Sequence, residues 1–180
     1  MADGSDFAAA IVARALDAEV DDAAFRQAMS RLAGGVAVVA CQTPEGPRGL
    51  LVSSLITLSV EPARVLFCVR KEAAAHNALT RANRVSISVL GDVHQAEAER
   101  FSSPHLAQDR FTASHWRIDS QAPPILSGAL ISLAGHREQL IDAGSHSMFI
   151  VRIAEADSTD LRPLVYFSRD FHGLERGGAV

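Results

Sequence analysis

The chain has little cysteine and few large aromatics: two Cys, one Trp and one Tyr among 180 residues. Cys41 and Cys68 each sit inside an apolar run, too far apart for a CxxC redox or metal motif, and a single pair makes no disulfide framework. Two reduced, buried thiols fit a cytoplasmic protein. Clustered lysine and arginine are missing too. With a formal net charge of −4, the chain lacks the basic patch that nucleic-acid phosphates require. No stretch is long and uncharged enough to cross a bilayer. The opening MADGSDFAAAIVARALDAEV has neither the basic start nor the continuous apolar core of a secretion signal. The expectation is a cytoplasmic protein with no nucleic-acid and no membrane partner.

Several catalytic signatures are absent as well. No GxGxxG follows a strand, which disfavours a Rossmann dinucleotide site, and no GxxxxGK[ST] phosphate loop occurs. The GxSxG nucleophile elbow is missing. His94, His105, His115, His136 and His146 never reach HxH or HExxH spacing, so no metal site is local in the sequence. If the chain is an enzyme, these absences point to a bound cofactor as the source of its chemistry.

What is present reads as one soluble domain, with 48% hydrophobic and 21% charged residues. Helical spacing appears over residues 7–18 behind Asp6. It appears again after Asp21 or Asp22, where Phe25, Met29 and Leu32 recur and Gly34-Gly35 stops the run. Strand texture follows at residues 36–41, 50–59 and 65–69, with turn chemistry at 43–47 and at Glu61-Pro62. Residues 73–81 favour helix, 85–90 strand and 94–101 helix. Residues 102–120 are irregular, anchored by Phe111 and Trp116. Gly135 makes 129–140 a strand rather than a helix, and Asp142-Ala143-Gly144-Ser145 reads as a hairpin turn. Residues 148–153 and 164–167 complete the series. Many short strands with a few helices indicate a barrel or curled sheet.

Four segments, in order, resemble the flavin reductase-like family of FMN-binding split barrels. Residues 25–39 (FRQAMSRLAGGVAVV) look like its entry helix, glycine pair and first strand. Residues 49–69 (GLLVSSLITLSVEPARVLFCV) are similar to its G-x-T-x-S-S-F-x-S-[LV]-S run, proline-marked turn and V-L-x-C-V strand. Residues 85–90 correspond to its F-x-[VI]-N-V-L strand. DAGSHSMF at 142–149 resembles its histidine hairpin, with PLVY at 163–166 as the closing strand.

The resemblance implies a mainly β (α+β) fold: a six-stranded antiparallel split β-barrel of Greek-key order, with flanking helices. Residues 1–22 would be an N-terminal helical extension and residues 23–175 the split-barrel domain. It further implies an NAD(P)H:flavin oxidoreductase that binds FMN or FAD, uses NADH or NADPH as co-substrate, pairs into a homodimer and supplies a monooxygenase component. Carried over residue by residue, Leu50, Leu51, Val52, Ser53 and Ser54 would wall the isoalloxazine. Cys68, Arg70, Lys71 and Ala75 would line the path to the phosphate, Ser88 would reach the ring, and Phe101 and Tyr166 could stack on it. His146 would position the nicotinamide. For His146 an exposed turn residue remains the alternative, and for Phe101 and Tyr166 a core position.

Five positions depart from the family pattern. Leu51 stands where a threonine often contacts flavin, Ser88 replaces asparagine, and Ser145 replaces the acid before the histidine. Ala73 and Ala75 occupy the two hydroxyl positions of K/R-x-S-x-T. Hydrogen bonds to a charged phosphate are worth about 1.5–3 kcal/mol each, so losing two costs about 3–6 kcal/mol, a hundredfold or more in affinity. Flavin as a dissociable substrate, FAD in place of FMN, and a non-catalytic barrel for flavin or another small ligand all remain open from sequence.

Overall fold

The apolar run from Val36 to Cys41 is buried at every position, and the fold is built on its two sides. In the computed structural model, which describes residues 19–112 and 115–175, this run forms most of β2 (Ala37–Thr43). Successive side chains of a strand alternate between faces. Ala37, Val39 and Cys41 therefore enter one core and Val36, Val38 and Ala40 a second. A strand covered on both faces needs no polar alternation, which is why the run is continuously apolar.

Around β2 lie β1 (Gly34–Gly35), β3 (Gly46–Val52), β4 (Ile56–Ser59), β5 (Arg64–Arg70) and β6 (Arg84–Val89). Later come β7 (Trp116–Asp119), β8 (Ala122–Leu126), β9 (Ile131–Ala143), β10 (His146–Ser158), β11 (Leu164–Phe167) and β12 (Asp170–Gly173). The main sheet runs β3-β2-β6-β9-β10-β5-β4, beside a three-stranded sheet β1-β11-β12 and the pair β7-β8. Every pairing is antiparallel. Three hairpins joined by crossovers place β2 beside β6, β6 beside β9 and β10 beside β5, the arrangement expected of a Greek key.

β3 and β4 are the two edges of that sheet, yet only residues 53–55 connect them. A chain advances at most ~3.6 Å per residue, so Val52 and Ile56 stand no more than about 14 Å apart. The sheet must therefore curl until its edges nearly meet. They stay unbonded to each other, leaving a split between β3 and β4. The first core fills the curl, where Phe67 and Phe149 stack at 5.1 Å and Leu79 caps them from α2 (His76–Arg81). The second lies on the outer face of β2, β3 and β6. There Phe101 of α3 (Gln95–Ser102) meets Phe111 and Trp116 at centroid distances of 4.9 and 5.2 Å. Gly49 permits this closeness, since a β-carbon there would lie 2.7 Å from the Val39 carbonyl and 2.9 Å from the Phe111 ring.

Helix α1 (Asp22–Met29) precedes the barrel and is capped by Asp21, whose carboxylate accepts the Ala24 amide at 2.9 Å. It belongs to a unit ending at Leu32, and the barrel unit begins at Ala33. The helix expected over 7–18 lies outside the described residues.

The structure corrects several expectations. The main sheet has seven strands, not six. The single strand expected over 50–59 is broken at Ser53, where the chain crosses the split. The helix expected from residue 73 begins only at His76. In the irregular stretch, β7 is a strand, and β8 follows in spite of Pro123 and Pro124. A pair outside the main sheet has spare unbonded edges on which proline is tolerated.

Candidate functional site

Where the chain crosses the split, its backbone leaves the ladder. Val52 still pairs with Ala37, and Ile56 with Leu66, but the backbone amides of Ser53 and Ser54 bond to no other described residue. The Ser54 side chain takes over as the missing ladder partner. Its hydroxyl accepts the Cys68 amide at 3.0 Å and donates to the Cys68 carbonyl at 3.3 Å. Ser53 is exposed, and its hydroxyl has no partner among the described residues. Gly34 backs the crossing closely, since a β-carbon there would lie 3.3 Å from the Ser53 carbonyl. Gly34 pairs with Tyr166, which is partly exposed beside Phe171 at 5.2 Å. An apolar cleft of about 200 Å³ adjoins the crossing, between Leu55–Thr57 on one side and Val89, Ile131 and Leu133 on the other.

From Cys68 the strip continues to a positively charged end. Directly opposed residues of an antiparallel pair share a face. Cys68 faces Met148, and Arg70 faces His146. Met148 and His146 in turn face Ile141 and Ala143. His146 Nδ1 and Ser145 Oγ lie 2.9 Å apart, which fixes the ring and leaves Nε2 uncommitted among the described residues. The Lys71 amide donates to the Ser145 carbonyl at 3.0 Å, tying this loop to the hairpin. Lys71 Nζ grips both oxygens of Asp142 at 2.7 and 2.8 Å. That hydrogen bond, with one from the Gly144 amide, holds the Asp142 carboxyl below its ordinary range. Lys71 is thus partly neutralised, and Arg70 is left beside His146 as a cation with no acidic partner among the described residues. His76 Nε2 meets Ser147 Oγ at 2.9 Å and sets its ring edge-on to Phe149, so it is structural.

Ser53, Ser54, Cys68, Arg70, Lys71 and His146 therefore form one continuous strip, with Tyr166 joined to it through Gly34. The remaining candidates lie elsewhere. Leu50 and Val52 belong to the first core and Leu51 to the second, so β3 offers the crossing no free side chain. Ala75 is buried at the start of α2, its methyl in the first core. Ser88 is 1% exposed, and its hydroxyl accepts the Leu126 amide at 3.2 Å beneath β8. Phe101 is 2% exposed inside the second core, with Arg110 over its ring at 5.6 Å. Neither Ser88 nor Phe101 reaches the strip. In the sequence Gly34 read only as part of a helix stop and Asp142 only as a turn residue, and neither was a site candidate.

An antiparallel sheet curled on itself and split between β3 and β4 is the fold this chain shares with solved flavin reductases. The chain belongs to the flavin reductase like domain family, whose sequence model matches residues 29–175. It is 32% identical over 158 residues to FMN reductase (NADH) RutF 1 of Methylorubrum extorquens, covering 87% of this chain and 79% of that protein. Among solved structures it is similar to BorF, the flavin reductase component of a bacterial two-component tryptophan halogenase. That match has a TM-score of 0.78 at 30% identity, over 86% of this chain and 98% of the other. It is also similar to the Streptomyces globisporus C-1027 NADH:FAD oxidoreductase SgcE6, solved with NAD and FAD fragments. There the TM-score is 0.80 at 25% identity, over 90% of this chain and 100% of the other.

Proposed function

We propose that this chain is an NAD(P)H:flavin oxidoreductase that reduces FMN or FAD for a partner monooxygenase or related flavin-dependent oxygenase component. The observation that carries the reading is the crossing at Ser53–Ser54. Two backbone amides without partners among the described residues stand beside an exposed hydroxyl and an apolar cleft. An isoalloxazine needs this combination, because its faces want apolar packing while its polar edge wants a few fixed donors. A flavin held there would supply the hydride-accepting chemistry, with the nicotinamide as donor. The chain itself contributes positioning: Ser54 holds the crossing against β5, Gly34 and Tyr166 support it from behind, and Arg70 attracts the phosphate. His146, oriented by Ser145, would position the nicotinamide. No acid–base pair is needed for hydride transfer, which agrees with a strip that contains none.

Similarity to proteins named for FMN and for FAD supports either flavin as substrate. With the Ala73 and Ala75 side chains unable to donate and Lys71 partly neutralised by Asp142, the phosphate would rest chiefly on Arg70, and flavin would bind reversibly and leave after reduction. One face of β4, β5, β10 and β9 carries Ile56 and Ile141, both exposed, with Leu66, Met148 and Ile150 half-buried between them, and a second copy would cover it. No helix among the described residues is long and apolar enough to cross a membrane. Cys41 and Cys68 are both unbridged, which suits a reducing cytoplasm. The test is NADH and NADPH oxidation by purified protein with FMN or FAD added. Turnover that requires flavin supports the proposal. Absence of turnover with both flavins and both nicotinamides overturns it.

A further inference from the structure

β5, β10, β9 and β6 lie side by side in the main sheet, and their register sets four basic residues in one transverse row. Arg64 of β5 stands opposite Arg152 of β10, Arg152 opposite His136 of β9, and His136 opposite Arg84 of β6. Directly opposed residues of an antiparallel pair share a face. Val65, Val151 and Val85, the chain neighbours of the three arginines, belong to the first core, so the row lies on the outer face. Arg84, His136 and Arg152 are exposed, and Arg64 is half-buried. With neighbouring strands about 4.8 Å apart, the row is about 14 Å long.

Much of this charge is uncommitted. Arg64 grips Glu138 through Nε and Nη2 at 2.5 and 2.8 Å. Arg84 gives only Nη1, to the Gln121 carbonyl at 3.1 Å. The side chains of Arg152 and His136 bond to no described residue. A second acid shares the face: Glu155 stands opposite Ala134, which itself stands opposite Ser86. Three arginines against two glutamates leave a positive surplus on a chain whose formal net charge is −4, and protonation of His136 adds to it. At the Arg64 end, the β4–β5 turn carries Val60. It is 85% exposed, more than any other large apolar side chain among the described residues.

We infer that this row is a docking surface for a partner protein that presents carboxylates in line, together with an apolar contact for Val60. Nucleic acid is the poorer match. Glu138 and Glu155 interrupt the row and repel an unbroken run of phosphates, and phosphates leave Val60 unused. A protein surface can meet Arg152 and Arg84 with acids, and the glutamates with bases of its own. The row and the flavin strip occupy opposite ends of β5 and β10, since Arg64 faces Arg152 while Arg70 faces His146. At ~3.3 Å per residue the two ends are about 20 Å apart, so a docked partner leaves the split open. The surface rests on the strand register and stands apart from the flavin reading.

The probe is an octaglutamate peptide, titrated at low salt into the full, isotope-labelled chain while the arginine Nε–H signals are followed. Arg84 and Arg152 should shift saturably, and added salt should weaken the binding. Arg84→Gln combined with Arg152→Gln should weaken it about two- to thirtyfold, the worth of two exposed ion pairs. Arg84→Lys combined with Arg152→Lys, which keeps the charge, should stay closer to the wild type. Flavin-dependent NADH oxidation should be unchanged in both double variants. The inference is overturned if the row stays silent, if the shifts centre on Arg70, or if octathymidylate binds more tightly than the peptide. It is also overturned if Arg84→Glu combined with Arg152→Glu changes the oligomeric state of the chain, which would assign the row to a contact between copies.

Discussion

Ser53 and Ser54 are chemically identical neighbours, but the structure gives them different work, and two alanine substitutions should separate them. The Ser54 hydroxyl both accepts from and donates to the Cys68 backbone, at 3.0 and 3.3 Å. Ser54→Ala leaves that amide and carbonyl unpartnered in a half-buried position. Stranding a buried polar group costs about 1–3 kcal/mol, and partial exposure puts this case at about 1–2 kcal/mol. For a domain of this size each kcal/mol lowers Tm by about 2–4 °C, so Ser54→Ala should melt roughly 2–8 °C earlier. Ser53 is exposed and bonds to no described residue, so Ser53→Ala should change stability by less than about 0.5 kcal/mol. Its hydroxyl is free for the flavin, and its loss should raise the flavin KM about two- to tenfold, the worth of one neutral hydrogen bond. Circular-dichroism melts and NADH oxidation at varied FMN give both quantities on the same preparations. If Ser54→Ala leaves Tm unmoved, or Ser53→Ala lowers Tm with no change in flavin KM, the division of labour is wrong.

Three further outcomes follow from the same geometry. Phe101→Ala empties the centre of the second core and should cost about 3–5 kcal/mol, while the flavin KM measured below the melting transition stays at the wild-type value; a raised KM at unchanged Tm would return Phe101 to the site. Arg70→Ala should weaken FMN about tenfold to a hundredfold by removing one charge-assisted contact. Riboflavin, which has no phosphate, should be unaffected; equal losses for the two would place the phosphate elsewhere. Burial, with His115 nearby, holds the His94 pKa below its ordinary 6.5, and in the neutral ring Nδ1 accepts the Gly91 amide at 3.1 Å. The folded chain therefore resists protonation that the unfolded chain accepts. The contribution of His94 is complete above about pH 6.5 and is lost as pH falls below it towards the lower folded value. Urea midpoints across that window should fall more steeply for the wild type than for His94→Asn, and parallel curves would deny the effect.

Elements written in local pattern were legible in the sequence. β5, β6 and β11 are short β-branched runs, and the 142–145 turn carries its own Asp and Gly. The break at Ser53 was not legible, because residues 50–59 are uniformly strand-like. The break comes from topology: consecutive strands occupy opposite edges of one curled sheet. β8 was hidden by its two prolines, and β12 is short and polar. The candidate site divides in the same way. Ser53, Ser54, Arg70 and His146 sit next to the turns that place them, so a motif reading finds them. Ser88 and Phe101 were assigned to the flavin by resemblance alone. Their actual partners, Leu126 for the one and Phe111 and Trp116 for the other, come from later segments whose packing no local pattern reveals. The Lys71–Asp142 pair spans 71 residues and was invisible for the same reason.

The central claim is that flavin meets this chain at the split, on the backbone of Ser53 and Ser54. An amide-resolved NMR titration with FMN tests it most directly. The account predicts that the largest saturable shifts fall on the Ser53 and Ser54 amides, extend to Arg70 and His146, and leave residues 95–102 of α3 unmoved. Shifts centred on α3 or on β8, with Ser53 and Ser54 silent, would contradict it.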